Sequence, residues 1–349
     1  MRYRTFGRQT GLRVAELALG TASFGTRRGY GTEPDEARKI FDSYVKADGN
    51  FIDTSERYHS GQSEELLGDF IAADRDYFVL ASKYTLGAEQ IAGVSRSGNS
   101  RKSMVRAVEG SLRRLKTNRI DLYWVHVDDR VTPMEEMLRG LDDLVRSGKI
   151  LYVGFSNFPA WRISRGSVLA ELRGFAPIAG IQFEYSLVER TAERELLPMA
   201  EALGLGVVLW SPLRGGFLTG KYRQSEEGRL KEYGIQTEKT PQETAVLDAV
   251  IDIAKEQGAT PAQVSIAWLL HKAEASTTSI IPILGARKLE QLEEAFEAMN
   301  LSLTQEQVER LDMVSQVVLG NPHDIITQSS AQVEGGKLGV LRHPKIPVA

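Results

Sequence analysis

Eight short apolar runs, rich in β-branched residues, recur along this 349-residue chain, and each is followed beyond a polar loop by a longer segment with helical period. The runs are LALGTA (17–22), NFIDTS (50–55), FVLASKY (78–84), IDLYWVH (120–126), ILYVGFSN (150–157), IAGIQFEYS (178–186), LGVVLWSP (205–212) and TSIIPILGA (278–286). Between them lie segments such as PDEARKIFDSYVKA and TPMEEMLRGLDDLVRSG, whose apolar residues fall at i, i+3, i+4 and i+7 against charged faces. Strands that are apolar on both faces and joined by helices belong in a parallel sheet, because each crossover must return the chain to the same edge. Eight such units predict an α/β fold, a closed (β/α)8 TIM barrel, in preference to an open doubly wound sheet. The open sheet would call for GxGxxG after the first strand. GTASFGTRRGYG has the wrong glycine spacing and no helix directly behind it.

Two segments depart from the alternation. YRTFGRQTGLRV reads as an N-terminal β-hairpin with Gly11 in its turn, placed to plug the N-terminal end of the barrel. After the seventh strand, LRGGFLTGKYRQSEEGRLKEYGIQTEKTPQ is far longer than the ~2–6 residues usual for such a connection, and loops of that length are functional or disordered. The barrel is expected to occupy residues 1–320 as a single domain, with 321–349 as a C-terminal tail.

Composition narrows the function classes. The 43 basic and 46 acidic residues nearly balance, and no Lys/Arg cluster interleaves with aromatics, so nucleic acid is not an expected partner. Cysteine is absent, which removes disulfides, thiolate nucleophiles and Cys-ligated metals together. The five histidines, at 59, 126, 271, 323 and 343, lack metal-ligand spacing, so no metal site is expected. No run approaches the roughly 20 apolar residues needed to cross a bilayer. MRYRTFGRQTG has no apolar signal-peptide core, and the expected location is the cytoplasm.

Chemistry in a TIM barrel sits at the C-terminal mouth, so polar residues at strand ends are the candidates. Asp53 ends the second strand, Lys83 the third and His126 the fourth, and Asn157 and Gln182 lie at or near the ends of the fifth and sixth. A lone buried Lys or Asp would cost several kcal/mol unless paired, and Asp53 and Lys83 on adjacent strands can satisfy each other. Tyr58 follows Asp53 on the loop above. Its ordinary pKa of ~10 makes it a weak acid, which a neighbouring ammonium would improve by stabilising the phenolate. With His126 donating to the same oxygen, the set suits carbonyl reduction: a proton goes to oxygen while hydride reaches carbon.

The chain resembles the aldo-keto reductases, most closely the bacterial branch related to potassium-channel β-subunits, over about residues 1–320. The markers, in family order, are LALGTASFG, FIDTSERY followed by SEELLG, VLASKY, DLYWVH, GFSNF, IQFEYSL, WSPLRGGFLTGKY and IPILGARKLEQLEEA. The resemblance implies a catalytic tetrad at Asp53, Tyr58, Lys83 and His126, the four collected above. It implies a nicotinamide cofactor, NADPH in preference to NADH, lying across the mouth. Gly20 and Thr21 would back it; Ser156, Asn157 and Gln182 would bind its carboxamide; Trp210 would stack on the nicotinamide. Ser211, Leu213, Gly215, Gly216 and Lys221 would follow the pyrophosphate, Arg229 and Arg287 would take the 2′-phosphate, and Gln291 and Glu294 would face the adenine, with Gly285 also at the cofactor.

The implied activity is NADPH-dependent reduction of a small aldehyde or ketone; the alternative is an NADPH-sensing regulatory subunit with slow turnover. Two positions depart from the family pattern. Ala295 replaces a common Asn, removing one adenine contact, and Asp128 stands where many relatives carry a Trp beside the substrate. The substrate and the oligomeric state are not readable. A hydrolase built on His59 or Ser60, and an aldolase using Lys83 as a Schiff-base nucleophile, are both disfavoured. The first lacks an attributable base, and in the second Asp53 would keep the lysine charged. Ser63 is expected to cap the helix SEELLGDFIAA, and His59 to be a bystander.

Overall fold

A computed structural model describes residues 1–223, 228–235 and 237–348. All eight apolar runs are strands. Among the described residues, an antiparallel pair, β1 (Tyr3–Thr5) and β2 (Arg13–Ala15), precedes the barrel. The barrel strands are β3 (Ala18–Gly20), β4 (Phe51–Asp53), β5 (Val79–Tyr84), β6 (Ile120–Val125), β7 (Ile150–Ser156), β8 (Ile178–Glu184), β9 (Gly206–Trp210) and β10 (Ile280–Gly285). They pair in parallel in sequence order, and β10 closes on β3. The fold is the expected (β/α)8 barrel with an N-terminal hairpin.

Apolar side chains on both faces of each strand explain the two-layered core. The outward layer packs under helices whose buried residues follow the helical period, as in Pro34–Lys46, where Ala37, Ile40, Phe41 and Tyr44 face inward. Inside the barrel, Phe6 reaches up from the hairpin and meets Phe51 and Trp124 edge-on, with ring centroids 6.0 and 6.4 Å apart. Gly180 and Gly206 make room for this ring, since a Cβ on either would come within 2.6 Å of it. The hairpin thus plugs the end of the barrel opposite the chemistry.

The connection after β9 is not structureless. It contains 3-10 turns at Arg214–Thr219 and Lys221–Arg223 and a short helix at Arg229–Glu232, before the helix Pro241–Gln257. Residues 224–227 and 236 of this segment, and 349 of the tail, lie outside the described residues. The tail carries a helix, His323–Val333, with no buried residue. Among the described residues, no helix is long and apolar enough to cross a membrane, and no group of three or more His, Asp or Glu side chains is placed to hold a metal.

Candidate active site

The strand ends bring the expected residues to one rim. Asp53 is the last residue of β4, Lys83 the penultimate residue of β5, and His126 follows β6 directly. Lys83 is completely buried and its ammonium is paired with Asp53. The same Nζ donates to the Thr54 carbonyl (2.8 Å) and to Tyr58 Oη (3.0 Å). Asp53 turns its other oxygen to Gln182 Nε2, which donates at 2.9 Å. A buried ion pair persists only when its remaining donors and acceptors are filled, and here Thr54, Tyr58 and Gln182 fill them. Burial pulls the Lys83 ammonium down, but Asp53 and Tyr58 together hold its pKa above the ordinary lysine value, so it stays charged.

Burial pushes the Tyr58 phenol upward, Lys83 opposes the rise, Asp53 adds to it, and the net shift is upward. This corrects the expectation that the lysine makes Tyr58 a stronger acid, because loss of hydration outweighs the ammonium. Lys83 limits the rise, and the phenol stays protonated at neutral pH. His126 sits edge-on to Tyr58, with ring centroids 6.2 Å apart. Burial, then Lys83 and Arg57, hold its pKa well below the usual histidine range, so the ring is neutral.

The neutral ring has one proton, and its Nδ1 faces Ser55. The Ser55 hydroxyl is 3.3 Å from His126 Nδ1 and accepts the Arg57 backbone N–H at 3.2 Å. Nδ1 is thus engaged by Ser55, and among the described residues Nε2 is the ring nitrogen left for a ligand. Sequence reading missed Ser55. The available signal was its place two residues beyond Asp53, on the same side of an extended strand end.

Ser63 is a correction. Its helix begins at Gln62, preceded by Gly61 in the left-handed region (φ 88°), and no side chain caps it. Ser63 is buried instead, donating to Thr21 and lying 3.0 Å from Thr54 Oγ1. The hydroxyl that looked like a cap ties the ends of β3 and β4 together. His59 is also buried and accepts the Arg28 backbone N–H at 3.4 Å, a packing role.

The expected cofactor residues line one side of the same mouth. Gly20 pairs with Asp53, and a Cβ there would lie 2.4 Å from Ile283. Thr21 donates its backbone N–H and its hydroxyl to the Asp53 carbonyl. Ser156 ends β7 and accepts from Asn157 Nδ2, which also reaches the His126 carbonyl (2.9 Å each). Asn157 Oδ1 accepts from Trp210 Nε1 at 3.1 Å, so the indole is held across the mouth from the tetrad. Beyond Trp210, Ser211, Arg214, Gly215 and Gly216 all have positive φ, between 45 and 88°. Within it the Arg214 and Gly216 N–H groups donate to the Ser211 and Leu213 carbonyls at 2.8 and 3.0 Å, which closes a tight turn. Leu213 sits within this turn. Lys221 folds over it: a Cβ on Gly216 would lie 2.9 Å from Lys221 Nζ.

The outer residues are partly engaged within the protein. Arg287 lies 3.7 Å above the Tyr30 ring and donates to the Gly31 carbonyl at 3.0 Å. Gln291 accepts the Arg287 and Lys288 backbone N–H groups, capping its own helix. Arg229 is exposed, yet near enough to act electrostatically on Tyr58. Gly285 faces open space, Glu294 is half-buried, and Ala295 is buried. Asp128 is not free to meet a substrate: its half-buried carboxylate is paired with Arg162. A cavity of about 600 Å³ lined by Trp161, Arg162 and Arg165 opens beside that pair and does not reach the tetrad.

The arrangement holds a protonated phenol, a charged lysine and a neutral imidazole around one point, near a glycine-rich turn covered by Lys221. The Aldo/keto reductase family model matches residues 16–316. The chain belongs to the aldo/keto reductase family. It is similar to norsolorinic acid reductase of Aspergillus flavus, with 34% identity over 95% of this chain and 85% of the relative. It is also similar to an uncharacterized oxidoreductase of Bacillus subtilis (38%, covering 88% and 93%) and to aryl-alcohol dehydrogenase [NADP(+)] of Phanerodontia chrysosporium (36%, covering 89% and 85%). Like these aldo/keto reductases, the chain is an oxidoreductase of a family that acts with nicotinamide cofactors.

Proposed function

We propose that this aldo/keto reductase catalyses the NADPH-dependent reduction of an aldehyde or ketone to the alcohol, reversibly, with Tyr58 as the proton donor. The observation that carries the reading is the chain Asp53–Lys83–Tyr58, in which a buried ammonium donates to the phenol oxygen at 3.0 Å. When bound, the nicotinamide supplies a hydride to the carbonyl carbon.

The residues of the chain do the rest. Tyr58 gives its proton to the carbonyl oxygen as charge develops there, and the Lys83 ammonium, fixed by Asp53, stabilises the phenolate left behind. His126 donates from Nε2 to the same oxygen and orients the carbonyl. Because the Tyr58 phenol is held above its ordinary range, reduction keeps its acid form well into alkaline pH, whereas alcohol oxidation, which needs the phenolate, speeds up as pH rises. Lys221 and the Ser211–Gly216 turn are read as the pyrophosphate cradle, because the lysine ammonium folds over a turn whose glycines leave room for an anion. Arg229 and Arg287 support NADPH over NADH, and the Phanerodontia relative is named as acting with NADP(+).

NADPH absorbance followed against a panel of aliphatic and aromatic aldehydes tests the reading. Oxidation with formation of one alcohol per NADPH is expected. NADPH that binds but persists with every aldehyde would mark a sensing subunit instead.

A further inference from the structure

Two arginines on the loops around Tyr58 have no carboxylate partner among the described residues. Arg57 immediately precedes Tyr58, and its Nη1 donates to the backbone carbonyls of Glu89 (2.7 Å) and Gln90 (3.1 Å). Arg28 donates from Nε to Ser60 Oγ (3.0 Å) and from Nη2 to the Ala88 carbonyl (3.1 Å). Both side chains are half-buried. Neighbouring arginines are paired differently: Arg27 forks onto Glu65, and Arg162 meets Asp128. Among the described residues, Arg28 and Arg57 are bound to neutral oxygens alone.

The two charges feel each other. Burial and then the charge of Arg57 hold the Arg28 pKa below its ordinary value. Arg57 is also among the charges that keep His126 neutral. Holding two like charges together without a counterion is unfavourable, and an anion placed between them removes the repulsion and gains charge-assisted hydrogen bonds. Arg57 uses only Nη1, leaving Nε and Nη2 for such a ligand, and Arg28 leaves Nη1. The loop whose carbonyls they hold also carries two exposed apolar side chains, Leu86 and Ile91.

We infer that the physiological substrate is a carbonyl compound bearing an anionic group, a carboxylate or its equivalent, which Arg28 and Arg57 bind while Tyr58 and His126 hold the reacting oxygen. This deepens the reductase reading and rests on it.

The test compares ortho-, meta- and para-carboxybenzaldehyde with their methyl esters, which keep the ring and the aldehyde but lose the charge. For at least one isomer, kcat/KM for the acid is expected to exceed that for the ester by about tenfold or more, as for a charge-assisted hydrogen bond. Arg28→Met and Arg57→Met are expected to bring that ratio close to one, and Arg57→Lys to keep part of it. Ratios near one for all isomers in the natural protein, or a ratio unmoved in both Met variants, overturn the inference.

Calorimetry with isophthalate, in the presence of NADP+, separates this from failure of the reductase reading. If no aldehyde is reduced yet isophthalate binds and the Met variants lose it, the anion site stands and the reductase reading falls. Equal isophthalate binding by natural protein and variants overturns the anion site. Weakened NADP+ binding in the variants, with the acid-to-ester ratio intact, would assign the arginines to the cofactor phosphates and also overturn it.

Discussion

Glu56, three residues beyond Asp53, is buried with one carboxylate oxygen accepting the Gly87 N–H at 3.2 Å and the other without a hydrogen-bond partner. The nearest cation, Arg106, is 3.8 Å away, and Glu64 is a neighbouring like charge. Burial first, and then Glu64, push the Glu56 pKa from 4.5 up to about 7. The folded protein therefore binds this proton more tightly than the unfolded chain does. The stability it contributes is complete below the unfolded pKa and is lost as pH rises through about 7. A shift of this size corresponds to about 3 kcal/mol. Glu56→Gln should thus flatten the fall in unfolding free energy between about pH 5 and about pH 8, measured by urea titration. An unchanged slope would show that Glu56 is not the group responsible. Nothing in the sequence marks this residue, since a glutamate within SERYHS reads as an ordinary solvated loop side chain.

At the scale of elements, the hairpin and the turn after β9 act at opposite ends of the barrel. Phe6→Ala should cost about 3–5 kcal/mol, because Gly180 and Gly206 leave no side chains to collapse into the space. Turnover measured below the new melting temperature should be unaffected, since the ring lies far from the mouth; a matching loss of kcat would contradict the separation. Gly216→Ala should act in the other sense. Its φ of 88° and the contact with Lys221 make a Cβ costly by roughly 1–2 kcal/mol, so NADP+ affinity should fall by about tenfold in a fluorescence titration. Affinity unchanged by this substitution would remove the turn from the cofactor site. The strands were legible because runs such as IDLYWVH are apolar on both faces, and the positions of Asp53, Lys83 and His126 followed from strand ends. The helix start at Gln62 was not legible: a hydroxyl before an acidic turn signals a cap, and only the three-dimensional closeness of Thr21 and Thr54 diverts Ser63. Nor could the sequence show that burial would outweigh Lys83 at Tyr58, because the balance depends on how completely the mouth excludes water.

Across the whole molecule, Asp53 and Gln182, 129 positions apart in sequence, are joined at one rim because the closed sheet returns every strand end to the same place. The family match over 16–316 spans the barrel, while the helix His323–Val333 lies beyond it with no buried residue. The chemistry proposed for this architecture depends on a single transferable proton, that of the Tyr58 hydroxyl. The direct measurement is therefore the turnover of Tyr58→Phe with an aldehyde that the natural protein reduces, alongside fluorescence quenching by NADPH. Loss of turnover by about a hundredfold or more, with cofactor quenching retained, is the expected result. Full activity in the variant would contradict it and leave the proton donor to be sought elsewhere at the mouth.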